Sequence, residues 1–206
     1  MTDYTFDLTR LSAEEATLIR DNLREIIKEK SLKLAPPDKP FILTSGKTST
    51  YYIDGKKTTC DPNGLFCLSM LILENIKNDN VEAVGGPTLG ADPMVSGASL
   101  LSYLLGRPIP FFIVRKEAKK HGTQSLIEGV EIRGKRVAVV EDVITTGGSA
   151  LRAIDAIRAE GGEIVKMIAL VDREQGGREA FDKAGVEYSP LFTISELLPP
   201  EMRNSQ

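Results

Sequence analysis

Apolar and polar positions alternate along the chain in a way that predicts an α/β fold. Short runs rich in apolar residues near residues 81, 109, 136, 164 and 187 predict strands, and the unbroken run Val137 to Val140 is typical of a strand buried on both faces of a parallel sheet. Between these runs, apolar residues recur at helical spacing, as in residues 151–157. We therefore expect a mostly parallel, five-stranded sheet that is flanked by helices and joined by right-handed crossovers.

The segment before about residue 60 does not follow this alternation. A capping-box pattern at Ser12 begins a predicted helix of about Ala13 to Lys30. Residues 41–54 contain two short β-type runs on either side of Ser45-Gly46-Lys47, which predicts a hairpin. This segment is therefore expected to be an addition to the α/β core.

The stretch from Val137 to Ser149 holds the most specific candidate chemistry. Its first four residues predict a buried strand, which ends in the carboxylates Glu141 and Asp142. A turn rich in Thr, Gly and Ser follows, and then a helix. Because such a turn presents backbone N–H groups, hydroxyls and the positive end of the helix dipole, it predicts a phosphate site. The carboxylates suit ribose hydroxyls or Mg2+, while an ordinary βα loop is the alternative.

Four candidate loops follow predicted strands. The carboxyl ends of parallel strands lie at one edge of a sheet, so these loops can converge on one crevice. The first is a second glycine-rich turn before a helix, which makes it a candidate for another anion site. The loops are residues 86–91, 115–129, 141–149 and 172–177.

Cations are concentrated in two of these loops. Seven positions of the second loop contain four cations and the only histidine of the chain, namely Arg115, Lys116, Lys119, Lys120 and His121. In a chain of net charge -3 this cluster favours a polyanionic ligand, and a solvated charged loop is the alternative. Arg173 follows another strand and can pair bidentately with a carboxylate. Its alternative is a surface ion pair with Asp172 or Glu174.

Composition narrows the classes of function. The chain has 206 residues, of which 41% are hydrophobic and 27% charged, and we expect one domain over residues 1–206 with a core of about 61–195. The net charge of -3 argues against nucleic acid and acidic membranes as partners. No apolar run is long enough for a membrane span. Without a secretion signal, Cys60 and Cys67 are expected to be thiols of a cytoplasmic protein.

Several of these stretches resemble motifs of one enzyme family. Val137 to Ser149 resembles the motif of type I phosphoribosyltransferases that binds 5-phosphoribosyl 1-diphosphate (PRPP), whereas no P-loop or dinucleotide-binding motif is present. Residues 115–122 resemble R-K-x-x-K-x-H-G, the mobile catalytic loop of orotate phosphoribosyltransferases. Residues 41–54 resemble that family's F-x-L-x-S-G-x-x-S-x-Y-Y-x-D motif, whose strands cover the base site. Gly86 to Gly90 is similar to the family's pyrophosphate loop.

The resemblance implies a Rossmann-like type I phosphoribosyltransferase fold with an N-terminal hood of about residues 1–60. It implies a pentosyl glycosyltransferase that converts orotate and PRPP to orotidine 5'-monophosphate and pyrophosphate in UMP biosynthesis, with Mg2+ as cofactor. It also implies a homodimer, in which the basic loop reaches the neighbouring active site. Two alternatives remain: a phosphoribosyltransferase for another base, and a regulatory protein of the same fold that senses PRPP and binds DNA.

The resemblance also implies roles for individual residues. The expected catalytic residues neutralise the leaving pyrophosphate; they are Arg115, Lys116, Lys119 and His121, the last also as a proton donor. These four are expected to bind PRPP together with Glu141, Asp142, Val143, Ile144, Thr145, Thr146, Gly147, Gly148 and Ser149. Thr145 and Arg173 are expected to contact orotate. Mg2+ is expected to be held mainly by PRPP, with Asp142 as the candidate protein ligand.

Overall fold

The computed structural model describes residues 11–36, 38–42, 48–117 and 125–202. A five-residue π-helix, Ile27–Ser31, continues the first helix, and a short 3-10 helix, Pro200–Met202, ends the described chain. The other elements are α1 (Ala13–Ile26), β1 (Leu32–Leu34), β2 (Phe41–Ile42), β3 (Thr48–Ser49), β4 (Tyr51–Ile53), α2 (Lys56–Thr59), α3 (Pro62–Asn75), β5 (Ala83–Pro87), α4 (Ala91–Leu104), β6 (Phe111–Val114), β7 (Ile127–Gly129), β8 (Arg136–Ile144), α5 (Gly148–Ala159), β9 (Glu163–Asp172), α6 (Gly177–Lys183), β10 (Tyr188–Thr193) and α7 (Ile194–Leu197).

The central sheet has six strands in the order β10-β9-β8-β5-β6-β7. All neighbours pair in parallel except β6 and β7, which are antiparallel. The predicted mostly parallel sheet is confirmed, but five strands is a correction, because β7 adds a sixth within the segment 115–129 that was expected to be a loop. This strand has only three residues and is held by backbone pairing with β6. A segment this short shows no hydrophobic alternation that would have predicted a strand.

The apolar run of β8 separates two hydrophobic clusters. Ala138 and Val140 pack with residues of α1, α3 and α4 on one face of the sheet. Val137 and Val139 pack with residues of α5 and α6 on the other face, where Phe181 is fully buried. Successive side chains of a strand point to opposite faces, so a strand between two helical layers must be apolar at every position.

The described residues before residue 60 include two small sheets outside the central one. Strands β2 and β3 pair antiparallel, with Phe41 opposite Ser49, as a hairpin requires. The turn of that hairpin, residues 43–47, lies outside the described residues. The second β-type run then leaves the hairpin, because β4 pairs antiparallel with β1 instead. The predicted capping box is confirmed, since Ser12 and Glu15 exchange hydrogen bonds at the start of α1.

No helix within the described ranges is both long and apolar enough to pass through a bilayer.

Candidate active site

The predicted site residues lie where neighbouring parallel strands end. Thr88 lies directly after β5, and its N–H donates to the carbonyl of Val114 at the end of β6 (3.0 Å). The N–H of Arg173, after β9, donates to the carbonyl of Ile144 at the end of β8 (2.8 Å). The loops after β5, β8 and β9, and the described part of the loop after β6, therefore meet at one edge of the sheet, as expected.

The predicted site residues that the structure describes lie at this edge. Glu141, Asp142, Val143 and Ile144 are the last residues of β8; Thr145, Thr146 and Gly147 form the turn; Gly148 and Ser149 begin α5; Arg115 and Lys116 follow β6; and Arg173 follows β9. Lys119 and His121 lie outside the described residues. The strand was expected to end in the acids, but β8 continues two residues past them because its pairing with β9 extends to Ile144.

The acid pair is buried at the end of β8. Glu141 and Asp142 are only 6% and 7% exposed. One carboxylate oxygen of Asp142, Oδ1, accepts the N–H of Val143 (2.9 Å). Burial, followed by the charge of Asp142, raises the pKa of Glu141 to about 8. Ionising both carboxylates is thus unfavourable, and a cation or a set of hydroxyl donors would offset that cost.

Two glycines allow the backbone to approach the acid pair. A Cβ atom on Gly90, in the loop before α4, would lie 2.3 Å from Oδ1 of Asp142 and 2.8 Å from Oε1 of Glu141. A Cβ atom on Gly55, before α2, would lie 2.8 Å from the Cβ of Asp142. Any larger residue at either position has to displace one of the acids. The pair is therefore enclosed by the glycine-rich loop on one side and by the N-terminal segment on the other.

The turn after β8 is shaped to bind an anion. Gly147 has a φ of 80°, in the left-handed region that favours glycine, and it directly precedes α5. None of the described side chains caps the N-terminus of this 12-residue helix. The first backbone N–H groups of a helix have no partner within it, and the helix dipole adds positive charge there. This end of α5 therefore offers the donors that a phosphate requires.

Arg173 presents an unused hydrogen-bond donor at the same edge. Its Nε donates to the hydroxyl of Tyr51 (3.4 Å), and its Cζ lies 5.1 Å from the centre of that ring. Its Nη2 is buried and has no hydrogen-bond partner among the residues that the structure describes. Leaving a buried donor unpaired is costly, so the geometry favours a ligand that supplies an acceptor.

The alternative for Arg173 was a surface ion pair. Asp172 instead accepts the N–H of Glu174 through Oδ1 (2.8 Å), and the carboxylate of Glu174 accepts the N–H of Ser195 (3.0 Å). Within the described ranges, no ion pair joins Arg173 to either acid. The guanidinium is held by Tyr51 instead.

The described part of the basic loop borders the glycine-rich loop. The Nη1 of Arg115 lies 3.2 Å from Oε1 of Glu128 on β7. Arg115, Lys116 and Thr88 line a cavity of about 520 Å³. The two cations thus lie beside the loop that resembles a pyrophosphate site. The ion pair between Arg115 and Glu128 was not indicated by the sequence.

Lys56 is a site residue that the sequence did not reveal. Its Nζ lies 2.8 Å from Oδ1 of Asp54 and 3.7 Å from Oδ2 of Asp142. Asp54 was part of the recognised N-terminal motif, but nothing in the sequence relates Lys56 to an acid on a strand so much later in the chain. Its place two residues after Asp54 is the one local signal.

Comparisons with known proteins agree on one family. The phosphoribosyl transferase domain family matches residues 71–189. Orotate phosphoribosyltransferase of Aquifex aeolicus (strain VF5) is 48% identical over 182 residues, which cover 88% of this chain and 98% of that protein. The orotate phosphoribosyltransferase of Nostoc sp. (strain PCC 7120 / SAG 25.82 / UTEX 2576) is 42% identical over 198 residues, or 96% of each chain. The crystal structure of Mycobacterium tuberculosis H37Rv orotate phosphoribosyltransferase with PRPP is similar with a TM-score of 0.73 at 35% identity, covering 87% of this chain and 98% of that one.

The raised pKa of Glu141 predicts how stability depends on pH. Because this pKa is about 8 in the folded chain against an ordinary 4.5, the folded state binds the proton more tightly than the unfolded state. The free energy of unfolding should therefore fall as pH rises through that interval. Glu141→Gln should make the free energy of unfolding less dependent on pH, because it removes the titrating group. Chemical denaturation at several pH values, without ligand or divalent cation, measures this dependence.

The matched control is Glu131→Gln, which changes an exposed carboxylate in the same way. It should keep the pH dependence of the unmodified protein. The same slope in all three proteins would contradict a raised pKa at Glu141.

Proposed function

The chain belongs to the orotate phosphoribosyltransferase family, and on this premise we propose which residues bind each substrate and which act in catalysis. The enzyme transfers the 5-phosphoribosyl group from PRPP to orotate, giving orotidine 5'-monophosphate and pyrophosphate in pyrimidine biosynthesis. The observation that supports the proposal most directly is the buried acid pair, which lies immediately before the uncapped N-terminus of α5. One sugar phosphate can satisfy both features.

The proposed PRPP site consists of the end of β8 and the turn that follows it. Glu141 and Asp142 accept hydrogen bonds from the ribose hydroxyls, which relieves the charge of two adjacent carboxylates. The 5'-phosphate binds the backbone N–H groups and hydroxyls of Thr145–Ser149. Val143 and Ile144 connect the two groups along the strand. Because the strand and the helix are both packed into the core, phosphate and ribose are held at a fixed separation.

The donor set fits Mg2+ when PRPP supplies part of it. Within the described ranges, no group of three or more acidic, histidine or cysteine side chains converges as a metal site would require. Mg2+ is commonly held by one or two carboxylates together with phosphate oxygens and waters. We therefore assign Mg2+ mainly to PRPP, with Asp142 as its protein ligand. When bound, it supplies positive charge that stabilises the leaving pyrophosphate.

Catalysis is proposed to rest on positioning and charge. As the bond between C1' and pyrophosphate loosens, negative charge grows on the leaving group, and Arg115 and Lys116 lie beside the loop that we assign to it. Lys119 and His121 complete this set from the family motif, and His121 can donate a proton to pyrophosphate because imidazole titrates near neutral pH. The ring N–H of orotate is acidic, so the enzyme needs no dedicated base.

The base site is proposed to lie between Arg173 and the N-terminal segment. The unpartnered Nη2 of Arg173 suits the carboxylate of orotate, and Thr145 lies on the adjacent strand end. Tyr51 on β4 holds the guanidinium. We therefore propose a single domain over residues 1–206, in which a hood of about 1–60 covers the base and a core of about 61–195 binds PRPP.

An assay of orotate consumption tests the reaction. Purified protein should deplete orotate absorbance only when PRPP and Mg2+ are both present, and parallel reactions with uracil and hypoxanthine should show no loss of base. Consumption of another base would favour the phosphoribosyltransferase alternative. PRPP binding with no consumption of any base would favour the regulatory alternative.

The proposed base site predicts a selective effect of Arg173→Gln. This substitution removes the charged donor for the orotate carboxylate, and loss of a buried charged hydrogen bond costs about 1.5–3 kcal/mol. The KM for orotate should rise by about tenfold or more, while the KM for PRPP should change much less. Steady-state kinetics with each substrate varied in turn measures both values.

The control for this experiment is Arg133→Gln, at an exposed arginine of the connection before β8. It should leave both KM values unchanged. Equal rises in both KM values for Arg173→Gln would argue against a specific contact with the base.

A homodimer with shared active sites is also proposed. The outer face of α4 exposes three large apolar side chains: Leu100 is 65% exposed, Tyr103 is 70% exposed and Leu104 is 61% exposed. Neighbouring apolar residues on one helix face are typical of a surface that another subunit covers. That the partner's basic loop reaches the site is proposed from the family motif of residues 115–122. A cytoplasmic location stays a prediction from the sequence.

Shared sites predict complementation between two inactive variants. Lys119→Ala removes the loop cation and Asp142→Asn removes the ribose contact, so each homodimer should be nearly inactive. Unfolding the two together and refolding them should produce mixed dimers, in which one site combines an intact loop with an intact acid pair. Recovery of activity after co-refolding, relative to each variant refolded alone, is the measurement. No recovery, with mixed dimers verified by a size tag, would count against a shared site.

A further inference from the structure

Lys56 places a positive charge beside the acid pair from outside the central sheet. It is the first residue of α2, and its Nζ lies 3.7 Å from Oδ2 of Asp142. Among the ion pairs of the described residues, it is the one cation within 4.0 Å of either acid. Its charge lowers the pKa of Glu141, opposing the effects of burial and of Asp142.

The ammonium group is held in this place by its own segment. Asp54 Oδ1 accepts both the Nζ of Lys56 (2.8 Å) and its backbone N–H (3.2 Å). The N–H of Asp54 in turn donates to the carbonyl of Ser31 (3.1 Å), in the π-helical turn. Gly55 lies directly against Asp142. The segment 54–56 thus packs against the acid pair and places the ammonium group of Lys56 beside it.

The two oxygens of Asp142 have different partners. Oδ1 accepts the N–H of Val143 on the same strand, whereas Oδ2 faces Lys56. Without this cation, the repulsion with Glu141 would be less compensated. At 3.7 Å, the ammonium of Lys56 attracts Oδ2 to its side and offsets part of the carboxylate's charge before any ligand arrives.

We propose that Lys56 is a positioning residue for PRPP, which acts on the ribose end of the substrate through Asp142. The inference rests on the proposed function, since it requires PRPP at the acid pair. It adds a residue from the N-terminal segment to the sugar-phosphate site, so that this segment serves both substrates. The side chain of Lys56 is about half exposed, so its ion pairs contribute little to stability.

The first test is the kinetics of Lys56→Met, which removes the charge and keeps the apolar stem. The KM for PRPP should rise roughly tenfold, which is the lower end of the loss seen when a group that orients a ligand-binding side chain is removed. The KM for orotate should stay within about twofold, and thermal unfolding should be nearly unchanged. Lys56→Arg should restore most of the PRPP affinity, because it restores the cation.

The control is Lys57→Met, which removes an exposed lysine next in sequence that has no contact with the acid pair in the described structure. It should behave like the unmodified enzyme. An unchanged KM for PRPP in Lys56→Met would overturn the proposal. An equal effect of Lys57→Met would overturn it too, because a general loss of positive charge would then explain the result.

A double-mutant cycle tests whether Lys56 acts through Asp142. PRPP binding in the presence of Mg2+ is measured by calorimetry for Lys56→Met, Asp142→Asn and the double variant. If Lys56 works by orienting Asp142, then Lys56→Met should weaken binding much less in the Asp142→Asn background. Equal weakening in both backgrounds would mean that Lys56 acts independently of Asp142, which would overturn the proposed route.

The unmodified chain separates failure of this inference from failure of the proposed function. If it consumes orotate and Lys56→Met has no effect on PRPP, only the inference fails. If it consumes no orotate, the proposed function fails, and the calorimetric cycle still reports whether Lys56 supports PRPP binding.

Discussion

Two adjacent carboxylates buried at the end of a central strand impose the main constraint on this enzyme. Glu141 and Asp142 lie where water cannot stabilise their charges, and each carboxylate disfavours the ionised form of the other. The structure offers partial compensation through the N–H of Val143 and the ammonium of Lys56. Hydroxyl donors and a cation would compensate the rest, and the proposed ribose and Mg2+ would supply them. Holding two carboxylates together in this way therefore costs some stability, as is common where a site is prepared for a ligand.

The rest of the structure keeps that pair in place. Layers of helices on both faces bury β8, so the strand cannot rotate to expose its acids. Gly90 and Gly55 let two backbone segments close over the pair without a side chain between them. The N–H of Arg173 donates to the end of β8, which keeps the proposed base site at a fixed distance from the proposed sugar site. The packing of β8 in the core thus determines the positions of the side chains in the crevice.

Sequence patterns predicted the features that repeat along the chain and missed those that join distant parts of it. The five parallel strands were predicted because each is a short run rich in apolar residues, and the turn before α5 was predicted because glycine and hydroxyl residues follow acids there. Strand β7 was missed because its hydrogen bonds to β6 leave no mark on its side chains. The extension of β8 past its acids depends on its pairing with β9. The contacts of Lys56 with Asp142 and of Arg115 with Glu128 arise only when the chain folds, and no local pattern encodes them.

The alternation of Val137, Ala138, Val139 and Val140 between two helical layers also limits how this chain can vary in length. A residue inserted within that run would exchange the two faces of the strand and disturb both cores at once. It would also move the acids out of reach of Gly90, Gly55 and Lys56. The number of residues from the start of β8 to Asp142 must therefore stay constant. The connection before Arg136 can gain or lose residues without changing that number. The packing of β8 in the two cores thus determines where along the chain the acid pair of the site must lie.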